Sequence, residues 1–133
     1  MIIAIDFDGT CVTHEYPEMG LDIGAIPVLK ELIKNGNKLI LLTMRSGRTL
    51  KDAKKWFVDN DIDLWSVNIN PEQKSWTKSR KVYAHLYIDD AGLGAPVRDD
   101  DKLSDRPFID WGLAREMLVD LGCIKEEIKY EKC

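Results

Sequence analysis

MIIAIDFDGT, residues 1–10, joins a short apolar run to two carboxylates and decides the fold of this chain. The run from Ile2 to Ile5 is typical of a strand that is buried on both faces. It stops at Asp6, and Asp8 follows two residues later. Ligands in open α/β sheets bind beyond the carboxyl ends of the strands, so this segment places two acidic side chains where a site would form.

The pair Asp8-Gly9 has other interpretations. Asp-Gly between apolar residues is also typical of a hairpin turn, and this segment alone favours neither interpretation. An EF-hand calcium loop beginning at Asp6 is excluded, because Cys11 and Pro17 stand where that loop needs Gly and Glu. Two carboxylates on one side of an extended backbone repel each other unless a cation or a proton lies between them. The residues at the ends of the other strands therefore have to decide between a turn and a functional site.

Length and composition indicate a single globular domain. The chain has 133 residues, of which 44% are hydrophobic and 32% are charged, which is ordinary for a soluble protein. Its apolar runs are too short to span a bilayer, and Asp6 interrupts the N-terminal run, so we expect no signal peptide and a cytoplasmic location. The cysteines, Cys11, Cys123 and Cys133, lack metal-like spacing and are expected to be free thiols.

Net charge argues against a general attraction to nucleic acid. The formal charge is −4 at pH 7, and such a protein does not attract polyanions over its whole surface. A local basic stretch could still act on its own, although we expect it to be a solvated surface. Its members are Lys74, Lys78, Arg80 and Lys81.

Hydrophobic periodicity predicts alternating strands and helices. The first half of the chain predicts a helix over 25–35, a strand over 39–43 and a helix over 48–59. The second half predicts strands over 64–69 and 85–88 and a helix over 111–121.

The remaining segments read as connections. Residues 71–81 are expected to form a loop with a short helix beginning near Ser79 or Lys81, and 91–110 a long surface loop. The charged tail, about 123–133, is of uncertain order.

This order of elements predicts an α/β fold, a three-layer Rossmann-like parallel sheet with helices on both faces. The carboxyl ends of three strands would then meet at one edge. Asp6 and Asp8 follow the first strand, Thr43 the second, and Asp89 with Asp90 the fourth. Carboxylates are ligands that Mg²⁺ prefers in proteins, and Mg²⁺ is commonly held together with substrate phosphate.

These motifs resemble those of the haloacid-dehalogenase-like hydrolases. The resemblance rests on DFDGT at 6–10, LLT at 41–43, an upstream lysine and IDD at 88–90, and it spans most of the chain. It implies that Asp6 is a nucleophile that forms an aspartyl-phosphate. It also implies that Asp8 is the general acid and base, with a pKa raised by anionic neighbours.

The resemblance further implies how the phosphoryl group and the metal are bound. Thr43 would hydrogen-bond the phosphoryl oxygens, and a lysine would neutralise them. Lys81 matches best, because it should open a short helix, while Lys78 and Lys74 are alternatives. Mg²⁺ would bind the Asp6 carboxylate, the Asp8 backbone carbonyl and Asp90, with Asp89 acting through water or as partner of the lysine. The roles of Asp89 and Asp90 could be reversed.

Only residues 11–23 separate the first motif from the first helix, so we expect a small flap and no cap domain. The chain resembles capless phosphatases that share a HxYPxxG flap and a DWG before the last helix. An open site would accept a bulky or macromolecular phosphoester, or a partner would supply the lid. His14, Glu15, Tyr16 and Arg45 are candidates for substrate contact, while Trp111 is expected to be a packing residue.

We therefore predict a magnesium-dependent phosphomonoester hydrolase. A receiver-like signalling module is one alternative, although it would carry its acceptor aspartate after the middle strand, where this chain has Asn68 and Asn70. A non-hydrolytic phosphoester-binding protein on the same scaffold is another. Neither the substrate nor the oligomeric state follows from the sequence, and a nucleic-acid end stays among the substrates considered.

Overall fold

A four-stranded parallel sheet forms the centre of the molecule. The computed structural model describes residues 1–126. The strands are β1 (Ile2–Ile5), β2 (Lys38–Leu41), β3 (Ser66–Val67) and β4 (Leu86–Ile88). They lie in the order β3-β2-β1-β4, and all neighbours are parallel. The predicted parallel sheet is confirmed, although β3 is shorter than the predicted 64–69.

Three α-helices follow the predicted pattern closely. They are α1 (Ala25–Lys34), α2 (Gly47–Asp59) and α3 (Trp111–Asp120). Asp110 caps α3 by accepting a hydrogen bond from the Leu113 backbone N–H at 3.1 Å. Ser46 and Thr49 cap α2 reciprocally.

The α-helices pack on one face of the sheet. Ile3 and Ile5 of β1 lie in a single apolar cluster to which all three helices contribute. Ala4 and Ile40 are buried but lie outside this cluster, because successive strand side chains point to opposite faces. The helix residues buried in the cluster are Ala25, Val28, Leu29, Leu32, Ala53, Phe57, Trp111, Ala114 and Leu118. The prediction of helices on both faces therefore fails for the α-helices.

Segment 69–85 covers the opposite face. Tyr87 is the register partner of Ala4 and shares its face, and the Tyr87 hydroxyl donates a hydrogen bond to the Val82 carbonyl. Lys38, at the start of β2, forms an ion pair with Glu72 at 3.6 Å. The segment contains a single 3₁₀ turn, Gln73–Ser75.

The predicted short helix near Ser79 or Lys81 is wrong. The buried Gln73 side chain donates hydrogen bonds to the Ser79 and Lys81 carbonyls, at 3.0 and 2.9 Å, and accepts one from the Tyr83 N–H at 2.8 Å. These contacts occupy backbone groups that a helix would use for its own ladder. The chain here is a non-helical strap whose backbone groups pair with the Gln73 amide.

The predicted loop over 91–110 contains a small antiparallel pair of strands. β5 (Val97–Arg98) pairs with β6 (Phe108–Ile109), whose two side chains are fully buried. Two-residue strands are too short for periodicity to reveal.

Cys11 and Cys123 are free and buried, as predicted, whereas Cys133 and the tail beyond residue 126 lie outside the described residues. Within residues 1–126, every helix is too short or too polar to cross a bilayer.

Candidate active site

Three carboxylates meet at the carboxyl edge of the sheet. Asp6 follows β1, and Asp89 with Asp90 follow the adjacent parallel strand β4. One oxygen from each of the three lies within 4.8 Å of the others. The structure thus brings together three of the four acids that the strand ends predicted, in a set of oxygen donors suited to a divalent cation, whereas Asp8 lies outside this set.

Crowding changes the protonation of Asp6. Burial raises the pKa of Asp6 to about 8, helped by the charge of Asp89 and a hydrogen bond with Asp90, while the Phe7 backbone N–H and Thr10 oppose the shift. Three acids this close need a proton or a cation to offset their repulsion. The three carboxylates could therefore hold a metal ion.

Thr10 and His14 bind the cluster from the flap side. Thr10 Oγ1 lies 3.1 Å from Asp6 Oδ2 and 3.2 Å from Asp90 Oδ1, and it accepts a hydrogen bond from the Asp90 backbone N–H. His14 Nε2 lies 2.6 Å from Asp90 Oδ2. The imidazole passes directly over Gly9, where a Cβ would stand only 2.0 Å from Nε2. The structure thus places His14 against an acid of the cluster.

Asp8 has a cation, the Arg45 guanidinium, directly beside it. Arg45 Nε and Nη2 donate hydrogen bonds to the two Asp8 carboxylate oxygens at 2.8 and 2.7 Å. This is the bidentate geometry in which arginine binds carboxylates most strongly. The contact also raises the pKa of Arg45.

Arg45, which the sequence made a candidate for substrate contact, is buried in this structure. Its side chain is buried, and its remaining donors bind the carbonyls of Pro17 at 3.4 Å, Glu18 at 2.8 Å and Thr49 at 3.2 Å. With the two bonds to Asp8, all five guanidinium N–H groups are used inside the protein. Arg45 therefore joins the Asp8 loop, the flap and α2. The flap packing that buries Arg45 is tertiary, so its sequence position could not reveal this role.

Thr43 is held at the end of β2 by a residue with no predicted catalytic role. The Thr43 backbone N–H donates a hydrogen bond to Asn68 Oδ1 at 2.8 Å, and the Thr43 hydroxyl accepts one from the Arg45 N–H at 3.2 Å. Asn68 directly follows β3 and has a positive φ of 57°. The sequence signal that could have pointed to Asn68 was its polar side chain at the end of the third strand.

The lysines occupy two different places. Lys81 lies over the Tyr87 ring, with Nζ 5.9 Å from the ring centroid, on the face that segment 69–85 covers. Lys74 and Lys78 line a cavity that Asn68 also lines, next to Thr43. Of the three candidate lysines, Lys74 and Lys78 thus share a cavity with a strand-end residue, whereas Lys81 packs on Tyr87.

Two residues at or near the start of α3 donate hydrogen bonds to the loop that follows β1. The Ile109 N–H donates a hydrogen bond to the Gly9 carbonyl at 3.0 Å, and Trp111 Nε1 donates one to the Thr10 carbonyl at 2.7 Å. Trp111 is buried, which confirms its predicted packing role. Glu15 and Tyr16 of the flap are exposed.

No protein-family model and no curated protein matches the chain. Among solved structures, it is similar to that of a conserved protein coded by a locus from Bacteroides thetaiotaomicron, with 33% sequence identity and a TM-score of 0.73. The match covers 96% of this chain and 98% of the other. The chain therefore belongs to the same family as this conserved Bacteroides thetaiotaomicron protein.

Proposed function

We propose that the protein is a magnesium-dependent phosphomonoester hydrolase with a capless, haloacid-dehalogenase-like core. The observation that carries the proposal is the meeting of Asp6, Asp89 and Asp90 within 4.8 Å at the carboxyl ends of adjacent parallel strands. Asp6, Asp90 and Asp89, with the Asp8 backbone carbonyl, would hold Mg²⁺. The ion would supply positive charge to offset that of the phosphoryl oxygens.

The chain would split hydrolysis into two displacements at phosphorus. First an Asp6 oxygen attacks phosphorus, the bond to the leaving oxygen breaks, and that oxygen takes a proton from Asp8. Then Asp8 takes a proton from water, the water oxygen attacks phosphorus, and the bond to Asp6 breaks to release phosphate. Thr43 would bind a phosphoryl oxygen, and Lys78 or Lys74 would neutralise the group in place of Lys81.

The double hydrogen bond from Arg45 bears on the Asp8 role. It occupies both Asp8 carboxylate oxygens, the atoms that would carry the proton in each step. Proton donation to the leaving group requires one Asp8 oxygen to release a guanidinium N–H. His14, bound to Asp90, would fix the position of that acid rather than contact the substrate.

The test is phosphate release from p-nitrophenyl phosphate. We expect turnover with Mg²⁺, none with chelator, and a loss of at least about 10³-fold in kcat for Asp6→Asn. Asp120→Asn, an exposed acid on α3, is the matched control and should keep wild-type turnover. Activity that survives Asp6→Asn would remove Asp6 as the nucleophile. A stable phospho-Asp6 without turnover would favour a receiver-like module instead.

A further inference from the structure

The carboxyl edge of β3 opens into a cavity, and of its residues the proposed chemistry uses a single lysine, Lys78 or Lys74. This cavity has a volume of about 530 Å³. Asn68, which binds the Thr43 backbone, is one of its lining residues. A phosphoryl group between Asp6 and Thr43 would therefore lie beside the cavity, and the cavity would receive another part of the same substrate.

The lining of this cavity is strongly basic. Lys74, Lys78 and Arg80 line it, and none of its lining residues is acidic. Within residues 1–126 these three side chains form no ion pair, whereas Lys38, Arg98 and Arg115 do. Three cations without acidic partners fit an anionic ligand, and the planar fork of arginine is suited to phosphate.

The cavity wall has a fixed shape. Gln73 is 8% exposed and binds three backbone groups between Ser79 and Tyr83. The buried Asn70 donates a hydrogen bond to the Tyr83 carbonyl at 3.0 Å and accepts one from the Glu72 N–H at 2.9 Å. The basic side chains therefore project from a backbone that buried amides hold in place, which lowers the cost of ordering them around a ligand.

We propose that this cavity binds a second phosphate group, so that the substrate is a phosphomonoester whose leaving group carries further phosphate. The proposal rests on the proposed hydrolase function. Two sources share this chemistry, a small bisphosphate such as a nucleoside 3′,5′-bisphosphate and the 5′-phosphorylated end of a single-stranded oligonucleotide.

An aromatic pair that suits a nucleobase lines a second cavity, which shares Thr77 and Ser79 with the basic one. Trp76 is 62% exposed and Tyr83 is 42% exposed, and their rings meet edge to face at 5.5 Å. Exposed aromatic rings next to cations are typical of surfaces that stack bases and bind the backbone of single strands. This aromatic pair would contribute to the binding of either ligand, and it would contribute more to the binding of a longer strand.

The experiment compares substrates that differ in their phosphates. We would measure kcat/KM for p-nitrophenyl phosphate, thymidine 5′-monophosphate, thymidine 3′,5′-bisphosphate and 5′-phosphorylated oligothymidylate. The wild-type protein should prefer the bisphosphate to the monophosphate by about tenfold or more, and Arg80→Gln should lower that ratio by about tenfold. Lys30→Gln, which removes an exposed lysine of α1, is the matched control and should leave the ratio intact.

The outcomes separate the two sources. If kcat/KM is higher for the oligonucleotide than for the bisphosphate, and the affinity for the oligonucleotide falls as salt rises, the substrate is a nucleic-acid end. If kcat/KM is the same for the oligonucleotide and the bisphosphate, the substrate is a small bisphosphate. Equal kcat/KM for mono- and bisphosphate, or an Arg80→Gln effect that is the same on every substrate, would overturn the second phosphate site.

A binding measurement tests the second phosphate site independently of turnover. Asp6→Asn protein would be titrated calorimetrically with the mono- and bisphosphate, with and without Arg80→Gln. A preference for the bisphosphate that depends on Arg80 supports the cavity even if no substrate is hydrolysed, in which case the hydrolase proposal alone fails. Equal affinity for both ligands overturns the cavity proposal.

Discussion

At the scale of single residues, Arg45 has the largest set of contacts in the candidate site. The residue is 3% exposed, and its donors reach Asp8, two flap carbonyls and one carbonyl of α2. A buried guanidinium is stable only when its N–H groups are paired, and here each of them is. The position of Asp8, the proposed general acid and base, therefore depends on the same side chain that holds the flap.

We expect Arg45→Lys to destabilise the protein by about 2 kcal/mol, because an ammonium cannot reproduce the bidentate bond and leaves carbonyls unpaired. Arg45→Met should cost about 3–5 kcal/mol, since it leaves the Asp8 charge without its partner. Urea unfolding measures both changes. Arg48→Lys, at an exposed arginine of α2, should change stability by less than about 0.5 kcal/mol. Unchanged unfolding midpoints for the Arg45 variants would contradict the assigned role.

At the scale of elements, segment 69–85 takes the place of a crossover helix. It returns the chain from β3 to β4 across the sheet face opposite α1, α2 and α3, and it is held largely by the Gln73 amide. Gln73 makes three hydrogen bonds to backbone groups of this segment, whereas Asn70 donates one, to the Tyr83 carbonyl. The stability of the segment should therefore respond sharply to a single substitution.

Gln73→Leu should loosen this strap. Three backbone groups lose their partner, which we expect to cost about 2–3 kcal/mol and to raise hydrogen exchange at the Tyr83 amide. Trypsin should then cleave after Lys74, Lys78 and Arg80 much faster than in the wild-type protein. Ser75→Ala, which removes a local hydrogen bond of an exposed side chain in the same turn, is the control. Cleavage at wild-type rates in Gln73→Leu would show that other contacts hold the segment.

Prediction from sequence succeeded where structure is local. The 3.6-residue periodicity of α1 and α2 is present in the chain itself, and so is the continuous apolar run of β1. It failed where tertiary contacts decide. The Gln73 amide replaces the helix expected at Ser79 or Lys81, and flap packing buries Arg45, whose polarity suggested an exposed ligand-binding side chain.

At the scale of the whole molecule, the acidic cluster links stability to pH and to metal. Asp6 has an ordinary pKa of 3.8 and a folded pKa of about 8. Between these values the folded protein holds a proton that the unfolded chain releases, so the free energy of unfolding falls as pH rises. Glu31, whose pKa Arg115 lowers, acts in the opposite sense at more acidic pH.

Metal-free Asp6→Asn should therefore be more stable than the wild-type protein at pH 8, and the difference should vanish near pH 4. We expect it to reach a few kcal/mol, because a tenfold change in proton affinity corresponds to about 1.4 kcal/mol. Thermal unfolding with chelator measures the difference. Adding Mg²⁺ should stabilise the wild-type protein at pH 8 and leave Asp6→Asn nearly unchanged. A wild-type melting temperature that ignores both pH and Mg²⁺ would contradict this account of the cluster.

The hydrogen bonds from Ile109 to Gly9 and from Trp111 to Thr10 also set an order for biosynthesis. They join parts of the chain about a hundred residues apart, whereas all four strands of the parallel sheet lie before residue 89. A nascent chain can pair those strands before β6 and α3 leave the ribosome. The loop that bears the carboxylates acquires its last two donors only after that, so the site is completed later than the sheet on which it stands.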